Sequence, residues 1–514
     1  MWAPGYRPAV ACVIAIDAGT TGVRALAVDV SGAVVDISYQ ELTQHFPHPA
    51  WVEHDPLEIW NAVVRTTTEV AERQQAAGHS VAAIGVTNQR ETVVAWDRKS
   101  GRPLHRAIVW QDRRTAERCD ALREGGHLSL VRERTGLVLD PYFSASKMAW
   151  LLDEGAAAAG PDLVMATVDS WVLWNLTGGV EGGALVTEPS NASRTMLLDI
   201  RELRWSEELC ELFGVPMNVL PELRPSCGRF GVVGGELGST GFPLRGVPVS
   251  GVAGDQQAAL FGQACFSPGM AKATYGTGTF VLLNIGDECP APVDGLLTTV
   301  AWDLGGHGGP SSVAYALEGA VFSTGSAVQW LRDGLGLISD PAETGPLAEQ
   351  VPDTEGVYLV PAFTGMGSPW WDPYARGIVT GLTRGAGRAH LARAVVEAMA
   401  YQVRDVVDAM RSSGSEVAAL RVDGGASAMD LLLQLQADQI RVGVTRPATT
   451  ETTALGAATM AGLAEGFWGT LDDLAALWHP DVEREPRAST VASDSAHAGW
   501  LRALERSFGW APSR

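Results

Sequence analysis

Cysteine is scarce in this 514-residue chain, and its six copies (Cys12, Cys119, Cys210, Cys227, Cys265, Cys289) are scattered, with no Cys-x-x-Cys pair. That spacing excludes an ordinary thiolate zinc site and fits a reducing compartment. Positive charge is short as well: 38 Lys+Arg stand against 59 Asp+Glu, for a formal charge of −21. Such a surface repels phosphate backbones, so nucleic acid is not an expected partner. A small anionic ligand stays allowed, because a local pocket can oppose the global field. Long apolar runs are missing too. The first one follows residues 1–8 and ends at Asp17, which is strand length and too short for a signal or membrane segment. No stable membrane insertion and a cytoplasmic location are therefore expected. With 46% apolar residues, no low-complexity tract and this length, the chain should be soluble, globular and divided into two or three domains.

What the chain does have is pattern. Residues 10–16 read as a strand, followed by Asp17-Ala18-Gly19-Thr20-Thr21-Gly22. Residues 24–30 alternate again, and Ser31-Gly32 leads into a third strand over 34–42. A tight Gly/Thr turn between the first two strands exposes backbone N–H groups and hydroxyls, a phosphate cradle that needs no lysine. Asp17 would hold a magnesium ion there, mainly through waters; an ordinary polar hairpin is the alternative. Asp55-Pro56-Leu57-Glu58 starts a helix with an N-cap, Pro at the first position and Glu three after the cap. The helix should run to about Gln75 with Ile59, Val63, Val64 and Val70 inward. The strand over 81–86 is apolar on both faces and so central in a sheet. It delivers Thr87-Asn88-Gln89-Arg90-Glu91 to the carboxyl edge, where ligands of open α/β sheets bind. Arg90 and Glu91 offer donors and acceptors to a hydroxylated ligand, or else form a surface ion pair. Trp110 is either an apolar wall for carbon atoms or a core tryptophan, and Tyr142 could present its hydroxyl to the same pocket. Residues 191–196 read as a polar loop, and 231–246 as a Gly-rich surface loop.

Near the middle, Val249-Ser250-Gly251-Val252-Ala253-Gly254-Asp255-Gln256-Gln257 reads as a buried strand running into a helix. A carboxylate at such a turn is held by the scaffold yet faces a cleft, which suits a general base acting on a hydroxyl. Gln256 can donate to and accept from a second hydroxyl. The alternative is that Asp255 caps the helix. After Gly262 the pattern restarts: a strand, Gly276-Thr277-Gly278-Thr279, and another strand over 280–285. A long amphipathic helix (390–410), a strand (419–422) and the loop Asp423-Gly424-Gly425-Ala426-Ser427 follow. Two halves, each opening on a phosphate-type hairpin, imply a duplicated fold with a cleft between, and Asp255 falls at the junction. A nucleotide between the lobes would aim its terminal phosphate at a hydroxyl near Asp255.

From about Val13 to Trp468 the sequence closely resembles the glycerol kinases of the FGGY carbohydrate kinase family. The resemblance is carried by Trp51-Val52-Glu53-His54-Asp55-Pro56, Thr87-Asn88-Gln89-Arg90-Glu91-Thr92, Asp140-Pro141-Tyr142-Phe143-Ser144, Gly254-Asp255-Gln256-Gln257, Tyr275-Gly276-Thr277-Gly278, Ala316-Leu317-Glu318-Gly319 and Trp371-Asp372-Pro373-Tyr374-Ala375-Arg376-Gly377. It implies two ribonuclease-H/actin-like α/β lobes and transfer of the ATP γ-phosphate to glycerol, giving sn-glycerol 3-phosphate. Glycerol would be bound by Arg90, Glu91, Tyr142, Asp255 and Gln256, with Trp110 and Phe280 on its carbon chain and Asp255 as the base. The nucleotide would use Thr20, Thr21, Gly22 and Arg24, then Thr277, Gly325, Gln329, Gly425 and Met429. Asp17 and Asp255 would hold Mg2+.

The lobes are expected over residues 10–262 (glycerol and the first hairpin) and 263–475 (nucleotide), followed by a linker and helix over 476–514. A homo-oligomer, dimer or tetramer, is the expected assembly. Two departures from the family pattern stand out: Ala18 replaces a usual Gln in the first hairpin, and Met429 replaces the usual Asn beside the adenine. A thioether packs on a flat base but cannot replace an amide's hydrogen bonds. The loop 231–241 lacks the basic residue that enteric members use for fructose 1,6-bisphosphate, and 215–245 holds no histidine for phosphorylation. Two rival readings are weaker. A kinase of another polyol or sugar should lose the Arg90-Glu91, Trp110 and Tyr142 set, and a non-catalytic sensor should lose Asp255 or Asp17.

Overall fold

The computed structural model describes residues 11–157, 160–234, 244–307 and 313–511. The N-terminal half is built on β1 (Ala11–Ala18), β2 (Gly22–Asp29), β3 (Val34–Glu41), helix α1 (Pro56–Ala76), β4 (Ser80–Asn88), helix α2 (Ser144–Asp153), β5 (Cys227–Val232), β6 (Pro248–Gly254) and helix α3 (Asp255–Gly262). Its six-stranded sheet runs β5-β6-β4-β1-β2-β3. The first three strands form the expected meander, and β4, apolar on both faces, lies between two parallel neighbours. Register decides what shares an edge. Ala18 pairs with Asn88, and Gly254 pairs with Asn88 from the other side. Asp17, Gln89–Glu91 and Asp255 therefore emerge at the same carboxyl end.

Helix α1 begins where its cap predicts, with the Asp55 side chain accepting the Leu57 N–H and Pro56 in the first turn. Glu58 does not close a capping box; its carboxylate instead accepts from the backbone and hydroxyl of Thr43. Among the inward positions, Ile59, Val63 and Val70 are fully buried and Val64 partly so.

The C-terminal half repeats the plan with β7 (Met270–Tyr275), β8 (Thr279–Gly286), β9 (Leu297–Asp303), β10 (Val313–Val321), helix α4 (Gly325–Gln329), helix α5 (Arg388–Ser412), β11 (Ala419–Asp423), helix α6 (Asp430–Ile440), β12 (Val444–Pro447), helix α7 (Thr452–Ala464) and β13 (Pro480–Arg484). Its sheet runs β9-β10-β8-β7-β11-β12-β13. In both sheets the first strand sits between an antiparallel hairpin partner and a parallel strand. The long helix α5 covers one face of this second sheet through Val395, Met399, Val403 and Val406. The other face packs toward the N-terminal half, in a cluster that joins Val13, Leu26 and Phe261 to Leu282, Trp302 and Leu455.

Helix α7, from the C-terminal end of the chain, packs on the N-terminal sheet and on α3. The approach is so close that a Cβ at Gly85 would lie 2.1 Å from the Ala457 carbonyl, and one at Gly456 would lie 1.8 Å from that of Ala258. Only glycine permits such backbone contact. Among the described residues, no helix is long and apolar enough to cross a membrane. Most of the Gly-rich segment 231–246 lies outside the described residues, as do the positions of that segment bearing on regulation.

Candidate active site

At the end of β4 the chain turns through Gln89, Arg90 and Glu91, the last in the left-handed region at φ 60°. A glutamate held there is strained, a feature that clusters at functional sites. Arg90 and Glu91 are almost wholly buried, which rules out the surface ion pair allowed by the sequence. Arg90 instead sits at the middle of a charge lattice. Its Nη1 donates to Glu318 Oε2 at 2.6 Å and to Gln257 Oε1 at 3.1 Å. Its Nη2 donates to Glu318 Oε1 at 3.0 Å and the Tyr142 hydroxyl at 3.2 Å. Its Nε lies 3.3 Å from Asp255 Oδ1 and 3.7 Å from Glu91 Oε1.

Arg194 completes the lattice, donating from Nε to Glu91 Oε1 at 2.8 Å and from Nη2 to Glu318 Oε1 at 2.9 Å. Residues 191–196 are therefore not the polar loop expected from their composition. The segment begins inside a short helix, Pro189–Ala192, and is buried, with most of its side-chain polar groups paired inside. Asn191 exchanges two hydrogen bonds with Asn88, and the Ser190 hydroxyl accepts the Gly254 N–H next to Asp255. Burial works against the Glu318 carboxylate, yet Arg194 and Arg90 hold it down at about 2. Burial pushes Glu91 above the usual carboxylate range despite the same two arginines.

Three aromatic rings gather beside this lattice, with Arg90 over Phe280 and Arg194 over Tyr142. Trp110 meets Tyr142 edge-on at 5.6 Å and Phe280, from the opposite half, at 6.4 Å. Trp110 is half-buried, and its indole N–H donates to the Thr20 hydroxyl at 3.0 Å, so it links the pocket to the first hairpin and is not simply core.

Asp255 is the first residue of α3, whose cap is Gly254; the capping alternative fails on that point. Its Oδ1 takes the Gln256 N–H at 2.8 Å, and 30% of the side chain remains exposed. Burial raises its proton affinity, opposed by Arg90, Lys272 and Gln256. Gln256 is more constrained than its composition suggests. The Lys272 ammonium donates to Oε1, which turns the oxygen toward Lys272 and the amide N–H2 away from it.

Asp17 lies near the end of β1, in the same region. Burial pushes it up to about 7, with Arg24 opposing and Asp255 and Glu451 adding. Two partly exposed carboxylates at one edge, the first pushed up mainly by burial, suit a hard cation that keeps several waters, as Mg2+ does. Among the described residues no cluster of three or more His, Cys, Asp or Glu could form a full protein cage, and this donor chemistry does not need one.

The residues expected on the nucleotide side are more open. Thr21, Thr277, Gln329 and Gly425 are exposed, and Thr20 and Met429 are half-buried. Arg24 is committed across the cleft to Glu451 at 3.1 Å. Gly22 is the exception, buried in β2 against the Tyr39 ring. The second hairpin docks on α4: Gly325 donates its N–H to Gly276 and Ser326 donates to Thr277, both at 3.0 Å. Gly424, beside Gly425, adopts φ +82° with its Cα against the Tyr275 carbonyl, which brings that loop to the same hairpin. Met429 packs near Gly345. Asp430 is already held by Arg484 at 2.9 Å and Arg446 at 3.3 Å.

Sequence reasoning gave no role to Arg194, Glu318, Gln257 or Lys272. Glu318 lay within a quoted motif and Lys272 within a strand, so the signal available was a charge inside an apolar run.

Residues 12–262 match the N-terminal domain, and residues 271–465 the C-terminal domain, of the FGGY family of carbohydrate kinases. The chain is 49% identical to glycerol kinase 2 of Thermotoga maritima, over 97% of this chain and 99% of that one. It is 51% identical to the glycerol kinase of Dechloromonas aromatica, over 97% and 98%. A crystal structure of Plasmodium falciparum glycerol kinase with ADP superposes with a TM-score of 0.88 at 33% identity, covering 97% of this chain and 98% of that one. Both lobes thus share the actin-like plan, and the chain belongs to the FGGY family of carbohydrate kinases.

Proposed function

We propose that this chain phosphorylates glycerol at the expense of ATP, giving sn-glycerol 3-phosphate and ADP, as an entry step of glycerol catabolism. One observation carries the reading. Trp110, Tyr142 and Phe280 gather beside a lattice of pre-paired charges that reaches the partly exposed Asp255. A three-carbon polyol suits this arrangement: the rings cover the carbons, while Arg90, Glu91 and the Gln256 N–H2 pair with hydroxyls. An unpaired buried hydroxyl costs roughly 1–3 kcal/mol, so a longer or deoxygenated substrate is penalised. Glycerol kinases at about half identity over nearly the whole chain support the same reading.

Asp255 takes the proton of the attacking hydroxyl as its oxygen bonds to the γ-phosphorus and the bond to the β-phosphate oxygen breaks. Burial raises the proton affinity of its carboxyl, which favours that transfer. Thr20, Thr21, Gly22 and Arg24 from the first hairpin, and Thr277, Gly325, Gln329, Gly425 and Met429 from the second half, hold the nucleotide. Asp17 and Asp255 would hold Mg2+, which when bound neutralises phosphate charge. The aromatic cluster keeps water away from the phosphoryl group.

ADP release measured with glycerol and a panel of polyols tests the reading. Glycerol should give the highest kcat/KM; turnover of another polyol or sugar in preference to glycerol would overturn it.

A further inference from the structure

Lys272 is a buried charged residue that the reaction scheme leaves unused. It sits on β7, an inner strand of the C-terminal sheet, in one row with Leu282 and Glu318 on the face turned to the N-terminal half. Its side chain is 0% exposed. The ammonium donates to Gln256 Oε1 and, at 2.9 Å, to the Thr274 hydroxyl, so its hydrogen bonds go to an amide and a hydroxyl and not to a carboxylate. Burying an ammonium costs several kcal/mol, and an apolar side chain in its place would serve stability as well or better. A packing role alone therefore does not account for it.

Its chemistry does. An ammonium has three donors and no acceptor, so whichever end of an amide meets it must be the oxygen. The Gln256 nitrogen is thereby turned the other way, on the side of Asp255, whose carboxyl Gln256 helps to hold down. We propose that Lys272 is a positioning residue for the substrate: from the C-terminal half it fixes the Gln256 amide, so that N–H2 and never the oxygen meets the bound polyol. The inference rests on the functional reading above. It also ties substrate geometry to the docking of the two halves, because Gln256 belongs to one and Lys272 to the other. Burial lowers the Lys272 ammonium to about 8 while Asp423 and Asp255 sustain its charge, so near neutrality it acts as a donor.

Kinetics on the full chain test this. Lys272→Met should lower kcat/KM for glycerol about tenfold, the worth of one well-placed hydrogen bond, while the ATP KM stays within about twofold. In a Gln256→Leu background the same substitution should change glycerol kinetics by less than about twofold, because no amide is left to orient. Thr274→Val, nearly isosteric, removes the second anchor of the ammonium and keeps the test open if Lys272→Met does not fold. It should cost roughly two- to fivefold on glycerol alone, again only when Gln256 is present. Losses that multiply in the double variants, or equal losses for glycerol and ATP, overturn the proposal. Wild type and Asp255→Asn run alongside. A wild type that does not phosphorylate glycerol removes the functional reading, whereas an active wild type with multiplicative losses removes only the role of Lys272.

Discussion

Around Arg90, charged side chains hold one another in a buried lattice; along Thr21, Thr277 and Gly425, the chain offers hairpin and loop positions at an exposed surface. The first region is preorganised. Arg90, Glu91, Arg194 and Glu318 are mutually paired before any ligand arrives, so little reorganisation accompanies binding. The second relies on peptide groups and small residues, which need no particular side chain to meet a phosphate. Of the two departures from the family pattern, Ala18 is fully buried at the end of β1, while Met429 falls on the open side. A substitution there changes one contact, while one inside the lattice strands a buried charge.

Four measurements break or sharpen this contrast. Asp255→Asn should lower the single-turnover phosphoryl-transfer rate by about 10²–10⁴-fold with glycerol binding retained, since the amide accepts a hydrogen bond but takes no proton. A loss below about tenfold would mean that Asp255 only orients the substrate.

Glu318→Gln should destabilise the fold by about 3–5 kcal/mol, because Arg90 and Arg194 lose their buried counter-charge; chemical denaturation reads this directly. The carboxyl sits near 2 in the folded chain against an unfolded value of about 4.3. Its contribution is thus complete above that unfolded value and lost as pH falls toward 2, and the gap in Tm between wild type and variant should narrow below about pH 4.

Glu91→Gln should raise the glycerol KM by an amount equivalent to about 1–3 kcal/mol and leave the ATP KM nearly unchanged. Equal weakening of both substrates would make Glu91 a tie between the halves and not a ligand.

Met429→Asn should produce the smallest change, a few-fold to about tenfold tighter ATP from one regained neutral hydrogen bond, with glycerol affinity constant. KM values for ATP and GTP in both versions decide it. The carboxylate of Asp430 is already paired with Arg446 and Arg484.

Much of this was readable along the chain because it is local. The Gly/Thr hairpins, the Asp55 cap, the apolar run of β4 and the Gly254-Asp255 turn each occupy a few consecutive residues, and their backbone preferences do not depend on distant partners. The reading failed where polarity was taken for exposure. Residues 191–196 look like a loop, yet Asn88, Glu91 and Glu318 supply partners that let Asn191 and Arg194 be buried. Glu58 had the spacing of a capping box and went to Thr43, since β3 ends beside it. Gln256 was assigned both donor and acceptor roles, and Lys272 turns the acceptor toward itself.

The sequence by itself determined the duplicated order of strands and helices, the two hairpins and the identity of the polar residues at the sheet edges, all consequences of periodicity and turn chemistry over short spans. Only the tertiary structure decided which charges meet. Arg90 reaches Glu318 across 228 residues and Arg194 reaches it across 124, and no local preference encodes such a pairing. It follows from the register of two separate sheets and from the glycines that let α7 lie against the first of them.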